Sequence, residues 1–240
     1  MNRILPLVAL ATVAAMAAPV KFGAEAMVGY NYLSVGSDLT DTKADPGIGF
    51  RIGPNASFGL NEMFAITGGV SFQYDMYNTK TTGVEVLGFS VGNTEDNYKS
   101  MSIGFQIAPE ITLGERFSIK AGYEWDMPLA GTVEHKSLGV TKDKDLVWAP
   151  EKESDLGTDN VDLGLVTLKS TNEVPLVSTH NLVAGAAIAV TPNMALTVQG
   201  KFALNGLLAD YDAAGDFQGS KANASNISLH QLAVGVLVKL

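Results

Sequence analysis

The sequence predicts an all-β chain: an eight-stranded antiparallel up-and-down transmembrane β-barrel behind an export leader. Three observations predict it. Residues 1–17 have the three parts of a secretory signal peptide. Behind them, segments of roughly ten residues that alternate apolar with small or polar side chains recur eight times. These segments are joined alternately by very short turns and by long acidic loops. Apolar-out, polar-in alternation on an exported chain is the pattern of a barrel that crosses an outer membrane with strands.

In the leader, Arg3 supplies the positive charge, Ile4 to Ala14 the apolar stretch, and Ala15-Met16-Ala17 the small-residue cleavage site. The apolar stretch is shorter than the ~20 residues that span a bilayer as a helix. The expected division is therefore a signal peptide over 1–17 and one outer-membrane β-barrel domain over 18–240. The chain is 46% hydrophobic, yet beyond the leader the apolar residues are dispersed in alternation and never form a helical span. Charged residues make up 17% and gather in the loops. There is no cysteine, so disulfides do not staple the fold despite the export signal. A formal charge of −9 argues against nucleic acid as a partner.

Period-2 alternation puts two residue sets on opposite sides of a sheet. In the first strand Phe22, Ala24, Ala26, Val28, Tyr30 and Tyr32 share one face, and Lys21, Gly23, Glu25, Gly29 and Asn31 share the other. The second sets Ile48, Phe50, Ile52, Ala56 and Phe58 against Arg51, Asn55 and Ser57; the third sets Phe64, Ile66, Val70, Phe72 and Tyr74 against Thr67, Gln73 and Asp75. The fourth carries Met101, Ile103, Phe105, Ile107 and Ile111 opposite Gln106 and Glu110, and the fifth Phe117, Ile119, Tyr123 and Trp125 opposite Lys120 and Glu124. Leu182 to Val190 forms the sixth, Leu196 to Leu204 with inward Gln199 and Lys201 the seventh, and Leu232 to Leu240 the eighth.

Tight turns are expected at Asn61-Glu62, Gly114-Glu115-Arg116 and Thr191-Pro192-Asn193. Long loops are expected over 34–46, 78–97, 130–178 and 206–226, on the extracellular side. Aromatics sort by depth: Phe58, Phe64 and Phe117 at the short-turn ends, and Tyr30, Tyr32, Tyr74, Tyr77, Tyr98, Tyr123 and Trp125 at the long-loop ends. Two aromatic girdles bracket the lipid band of a membrane barrel.

On these residues the chain resembles the small eight-stranded outer-membrane proteins of the OmpX and OmpA membrane-domain kind, over residues 18–240. Such proteins commonly end in an apolar-alternating strand with a terminal Phe; here the strand ends in Val238-Lys239-Leu240. The resemblance implies a monomer in outer-membrane lipid and lipopolysaccharide, inserted by the barrel assembly machinery through its C-terminal strand. No cofactor, metal or enzymatic activity is expected, since the sequence offers no convergent catalytic set and no metal-ligand spacing.

Eight strands leave an interior about wide enough to be filled by side chains. The inward charges are Glu25, Arg51, Glu110, Lys120, Glu124 and Lys201, and buried charges must pair. The expectation is a closed polar plug, with Glu110 bonded to Lys120 across the Gly114–Arg116 turn. A narrow channel for small solutes is the alternative use of the same residues. Ser178/His180 and Ser228/His230 form two Ser-x-His pairs on the outer face. Ser228 with His230 is the candidate for lipid-modifying hydrolysis, in which His would activate Ser; no acid or oxyanion site accompanies it. His135 stands without a metal-ligand spacing. The acidic loop 130–178 holds Trp148 beside Val147 and Ala149, an apolar patch suited to contact with a surface ligand. Val133–Val147 and Val161–Leu168 have the composition to extend the flanking strands. Shortening the loop from Gly131 to Val177 is expected to leave the barrel folded.

Overall fold

Alternating sequence becomes a wall only if every strand edge is covered, because lipid offers no hydrogen bonds to an open edge. The computed structural model describes residues 20–35, 42–82, 84–86, 89–91, 94–137, 140–148, 158–162, 167–171, 173–206 and 227–240. The leader over 1–17 and all but Gly206 of the loop over 206–226 lie outside them. The strands are β1 Val20–Val35, β2 Thr42–Asp45, β3 Gly47–Gly59, β4 Phe64–Thr81, β5 Val84–Val86, β6 Phe89–Val91, β7 Thr94–Leu113 and β8 Phe117–Ser137. They continue with β9 Val140–Trp148, β10 Thr158–Asp162, β11 Thr167–Thr171, β12 Glu173–Leu176, β13 Thr179–Thr191, β14 Met194–Ala203 and β15 Ile227–Lys239. Eight of them, β1, β3, β4, β7, β8, β13, β14 and β15, pair in that order. The ring closes antiparallel from Gly23↔Lys239 to Val35↔Ile227.

The core of this protein is inverted relative to a water-soluble one. Large apolar side chains are exposed on the outside of all eight barrel strands; Phe22, Ile52 and Leu232 are each 60% exposed. Arg51, Gln73, Asp75, Glu124, Asp126 and Lys201 are buried inside. An outer wall of this kind is stable only against hydrocarbon. Val234→Arg, in the middle of the lipid-facing row of β15, is expected to cost about 2–4 kcal/mol. Equilibrium unfolding in phospholipid vesicles would measure it; an unchanged midpoint would place that face away from lipid.

The short turns hold the barrel at one end. Asn61 accepts the backbone N–H groups of Met63 and Phe64 through Oδ1, both at 2.8 Å, which fixes the β3–β4 turn. Gly114 takes φ +68° in the β7–β8 turn, a conformation that costs glycine nothing.

At the other end the strands run further than the alternation of the sequence suggests. β4 and β7 pair as far as Thr81↔Thr94, and β7 and β8 as far as Thr94↔Ser137. Most of the expected loop 78–97 is therefore strand, with the small β5–β6 pair at its tip. Loop 130–178 likewise holds the end of β8, its partner β9, the β10–β11 hairpin and β12, which pairs parallel with β9. β2 pairs with the top of β4. Within β8 the register shifts: Met101 pairs with Ala130 but Ser102 with Pro128. Leu129 is thus an extra residue, and this bulge exchanges the two faces of the strand. Below it Glu124 and Asp126 point inward; above it Val133 does.

Candidate functional site in the lumen

Half-way along the barrel the inward faces meet in one charged layer. Arg51 on β3 donates from Nη1 to Glu124 Oε2 on β8 at 2.8 Å, and its Nη2 lies 4.0 Å from Glu25 Oε2 on β1. Lys201 on β14 places Nζ 2.9 Å from Asp126 Oδ2, 3.6 Å from Glu124 Oε1 and 2.7 Å from Gln73 Oε1. Gln73 donates from Nε2 to both carboxylates, at 3.0 Å to Glu124 and 2.9 Å to Asp126. Asn181 on β13 donates to Asp126 at 2.9 Å. One step higher, Asn31 and Gln231 donate to Asp75 at 2.8 and 3.1 Å. β7 passes this layer with Gly104, where a Cβ would stand 2.1 Å from Gln73 Nε2. The layer fits because that position has no side chain.

The arrangement follows buried-charge physics. Glu124 and Lys201 are 1% and 3% exposed as side chains, so each charge must find opposite charge and hydrogen bonds nearby. Among the expected interior residues, Glu25, Arg51, Lys120, Glu124 and Lys201 are joined by these contacts. Glu110 is different. Its backbone lies opposite Lys120, but Lys120 reaches across to Glu25 Oε2 at 3.6 Å, and Glu110 forms no ion pair among the described residues. The expected Glu110–Lys120 bond is replaced because Glu25 sits deeper, where an unpaired carboxylate is more costly. Asp126 is the member that the alternation offered and the sequence reading missed, two residues past Glu124 on the same face. Alternation puts Gln73, Asp75 and Asn31 on the inner face but gives them no role.

Above the charged layer the lumen is apolar. Leu33, Tyr77, Tyr98, Val133, Leu176 and Leu229 form one buried cluster drawn from five barrel strands and the end of β12. Tyr77 and Tyr98 are 3% and 8% exposed and stack with centroids 4.9 Å apart. They therefore leave the outer girdle to which sequence assigned them. Tyr77 shares parity with the inward Gln73 and Asp75, and Tyr98 with the inward Ser100. Leu176 and Val177 roof a small cavity of about 30 Å³ that touches Asp75, Asp126 and Lys201. Val133, Leu176 and Val177, all within the segment 131–177, thus pack inside the barrel mouth. The backbone of Trp148 pairs with Leu176 in β9 and β12; its side chain is outside the described residues.

Below the charged layer the barrel is hollow. A cavity of about 710 Å³ runs from Glu25, Gln106, Glu110 and Lys120 to the β3–β4 turn at Leu60–Phe64. The side-chain filling expected of an eight-stranded barrel thus holds only from the charged layer upward. The lower rows use small residues, such as Ser57 and Thr67, that cannot reach across.

On the outer wall, the structure does not join Ser228 to His230. The Ser228 hydroxyl donates to the carbonyl of Asn205 at 3.4 Å. His230 Nδ1 accepts the Ala203 N–H at 3.1 Å, so the neutral ring carries its proton on Nε2 and presents it to Ser34 Oγ at 3.0 Å. A ring held in that tautomer has no lone pair to offer the hydroxyl. The ring also packs against Tyr32, with centroids 5.3 Å apart. His180 bonds the Tyr123 hydroxyl, and the Ser178 carbonyl accepts from Asn205 at 2.9 Å.

A closed eight-stranded antiparallel barrel, apolar outside and charged within, is an outer-membrane β-barrel. No protein-family model and no curated protein matches the chain in sequence. Among solved structures it is similar to the attachment invasion locus protein Ail of Yersinia pestis, in complex with the heparin analogue sucrose octasulfate. That likeness has 11% identity, covers 92% of this chain and 99% of that one, and has a TM-score of 0.42. It is also similar to Neisserial surface protein A (13% identity, 92% and 99% covered, TM-score 0.38). The outer membrane protease OmpT of Escherichia coli gives 11% identity, 93% and 96% covered, and a TM-score of 0.23.

Proposed function

We propose that the protein works at the cell surface through the strands that rise above the membrane, while its lumen stays shut. The observation that carries this reading is the outward charged face of that extension. Lys43, Lys80, Glu95 and Lys136 stand in register across β2, β4, β7 and β8. Asp45, Asn78, Asn97 and Glu134 form the row below. Lys80 bonds Asp45 and Lys136 bonds Glu134, each at 2.6 Å. Hydrogen bonding to Lys136, and then its charge, hold the Glu134 carboxyl below its usual range. Exposed pairs of this kind stabilise little, so a folding role does not account for them; a polar contact surface does.

The mature chain is proposed to sit as a monomer in lipid and lipopolysaccharide, inserted through β15, since no outer face lacks its apolar row. Neither a narrow channel nor lipid hydrolysis has comparable support, given the two closed layers and the separated Ser228 and His230. The test replaces Lys43, Lys80 and Lys136 with Gln in cells that display the protein. Heat-modifiable gel migration should be unchanged, while attachment to host cells, matrix-coated surfaces or phage falls. Steady wild-type conductance in planar bilayers, or a lipid A acyl chain lost only when His230 is present, would reverse the assignment.

A further inference from the structure

We propose that the periplasmic vestibule binds short zwitterionic peptides, amine end first. The space is adequate: about 710 Å³ lies within the range of small-molecule sites. Its mouth is ringed by the β3–β4 turn, and short turns face the periplasm in these barrels.

The lining is graded in charge. At the floor stand two carboxylates, Glu25 and Glu110, and one ammonium, Lys120. Among the described residues Lys120 forms an ion pair only with Glu25 Oε2, at 3.6 Å. Glu25 Oε1 has no hydrogen-bond partner, and neither does Gln106 Nε2 beside it. Glu110 has no ion pair among the described residues. Arg51 Nη2 also stands 4.0 Å from Glu25 Oε2, so the acid of the floor without a paired cation is Glu110, beside one free acceptor at Glu25 Oε1 and one free donor at Gln106 Nε2. At the mouth the order reverses: Lys21 and Lys239 line it with one carboxylate, Glu62, and neither lysine has an ion pair among the described residues.

A cation seated at the floor and an anion at the mouth satisfy both ends. Lys21 and Glu25 lie four residues apart on the inward face of β1, roughly 13 Å at ~3.3 Å per residue. A free tripeptide extends to roughly 10 Å, and the long side chains of Glu and Lys cover the difference. Between the two ends Asn55, Ser57, Thr67 and Thr112 supply hydroxyl and amide groups to its backbone. A simple amine would meet the lysines of the mouth without an anion to offer them, and a simple anion would meet the acidic floor.

The test is titration of trialanine into the full-length protein in phospholipid nanodiscs, followed by NMR shifts and calorimetry. Saturable binding is expected, with shifts at Gln106, Glu110 and Lys120. A charge-assisted hydrogen bond is worth ~1.5–3 kcal/mol, so N-acetyl-trialanine should bind about tenfold or more weakly. Trialanine amide should also bind more weakly. Glu110→Gln should weaken trialanine to a similar degree; it breaks no ion pair, so gel migration should remain that of folded barrel. Lys239→Gln should weaken trialanine but leave trialanine amide unaffected, which tests the mouth independently should Glu110→Gln fold poorly. Absence of saturation at millimolar trialanine overturns the proposal. So does equal binding of the acetylated peptide, or shifts confined to the outer wall or the long-loop end.

Discussion

Arg51→Ala is expected to destabilise the barrel by about 3–5 kcal/mol, the cost of breaking a buried ion pair from one side. Removal of the guanidinium strips Glu124 of its 2.8 Å partner and leaves Glu25 with Lys120 alone. Glu124 keeps Lys201 at 3.6 Å and the Gln73 amide, so the layer loosens without coming apart. Urea unfolding in vesicles reads the loss. A double-mutant cycle with Glu124→Gln should return a coupling energy of about 1–3 kcal/mol, as neighbours in one network do. Glu110→Ala provides the contrast, at about 0.5 kcal/mol, because it breaks no ion pair. Equal effects at Arg51 and Glu110 would mean that the charges of the lumen do not form the layer described.

Leu176→Ala is the second large effect, about 2–5 kcal/mol. Leu176 is 1% exposed and enters the lumen from a loop strand, against Tyr77, Tyr98 and Val133. Truncation leaves a cavity next to the one already under Val177, and rigid strands cannot close around it. The barrel below should persist, because its lipid-facing wall and short turns are untouched. Thermal unfolding followed by gel migration would report the loss. Hydrogen exchange should rise first at the tops of β4, β7 and β8, with the lower strands still protected. Full stability in the variant would mean that the cluster merely rests on the barrel.

These two sites mark different depths of legibility. Arg51, Glu124 and Lys201 could be assigned to the interior from parity alone, since each lies one step from an apolar lipid-facing neighbour such as Phe50, Trp125 or Phe202. Their partners could not. Glu110 and Lys120 look paired because they are the same number of steps from a tight turn; yet Lys120 joins Glu25 on another strand 95 positions away, which depends on barrel closure. Tyr77 and Tyr98 were read as girdle residues because aromatics at strand ends usually are; parity, followed upward from Gln73 and Ser100, turns them inward.

The sequence by itself determined the wall: strand number, the short-turn and long-loop ends, the lipid-facing rows and the polar inner face. Those depend on a two-residue period and on local turn chemistry, both of which are written in consecutive residues. Tertiary structure alone decided where the lumen is filled and where it is hollow. The Leu129 bulge turns Val133 inward, parallel pairing of β12 with β9 carries Leu176 to the roof, and ring closure chooses which of several inward charges meet. Each of these is a contact between distant segments, whose energy depends on distance across the barrel rather than along the chain.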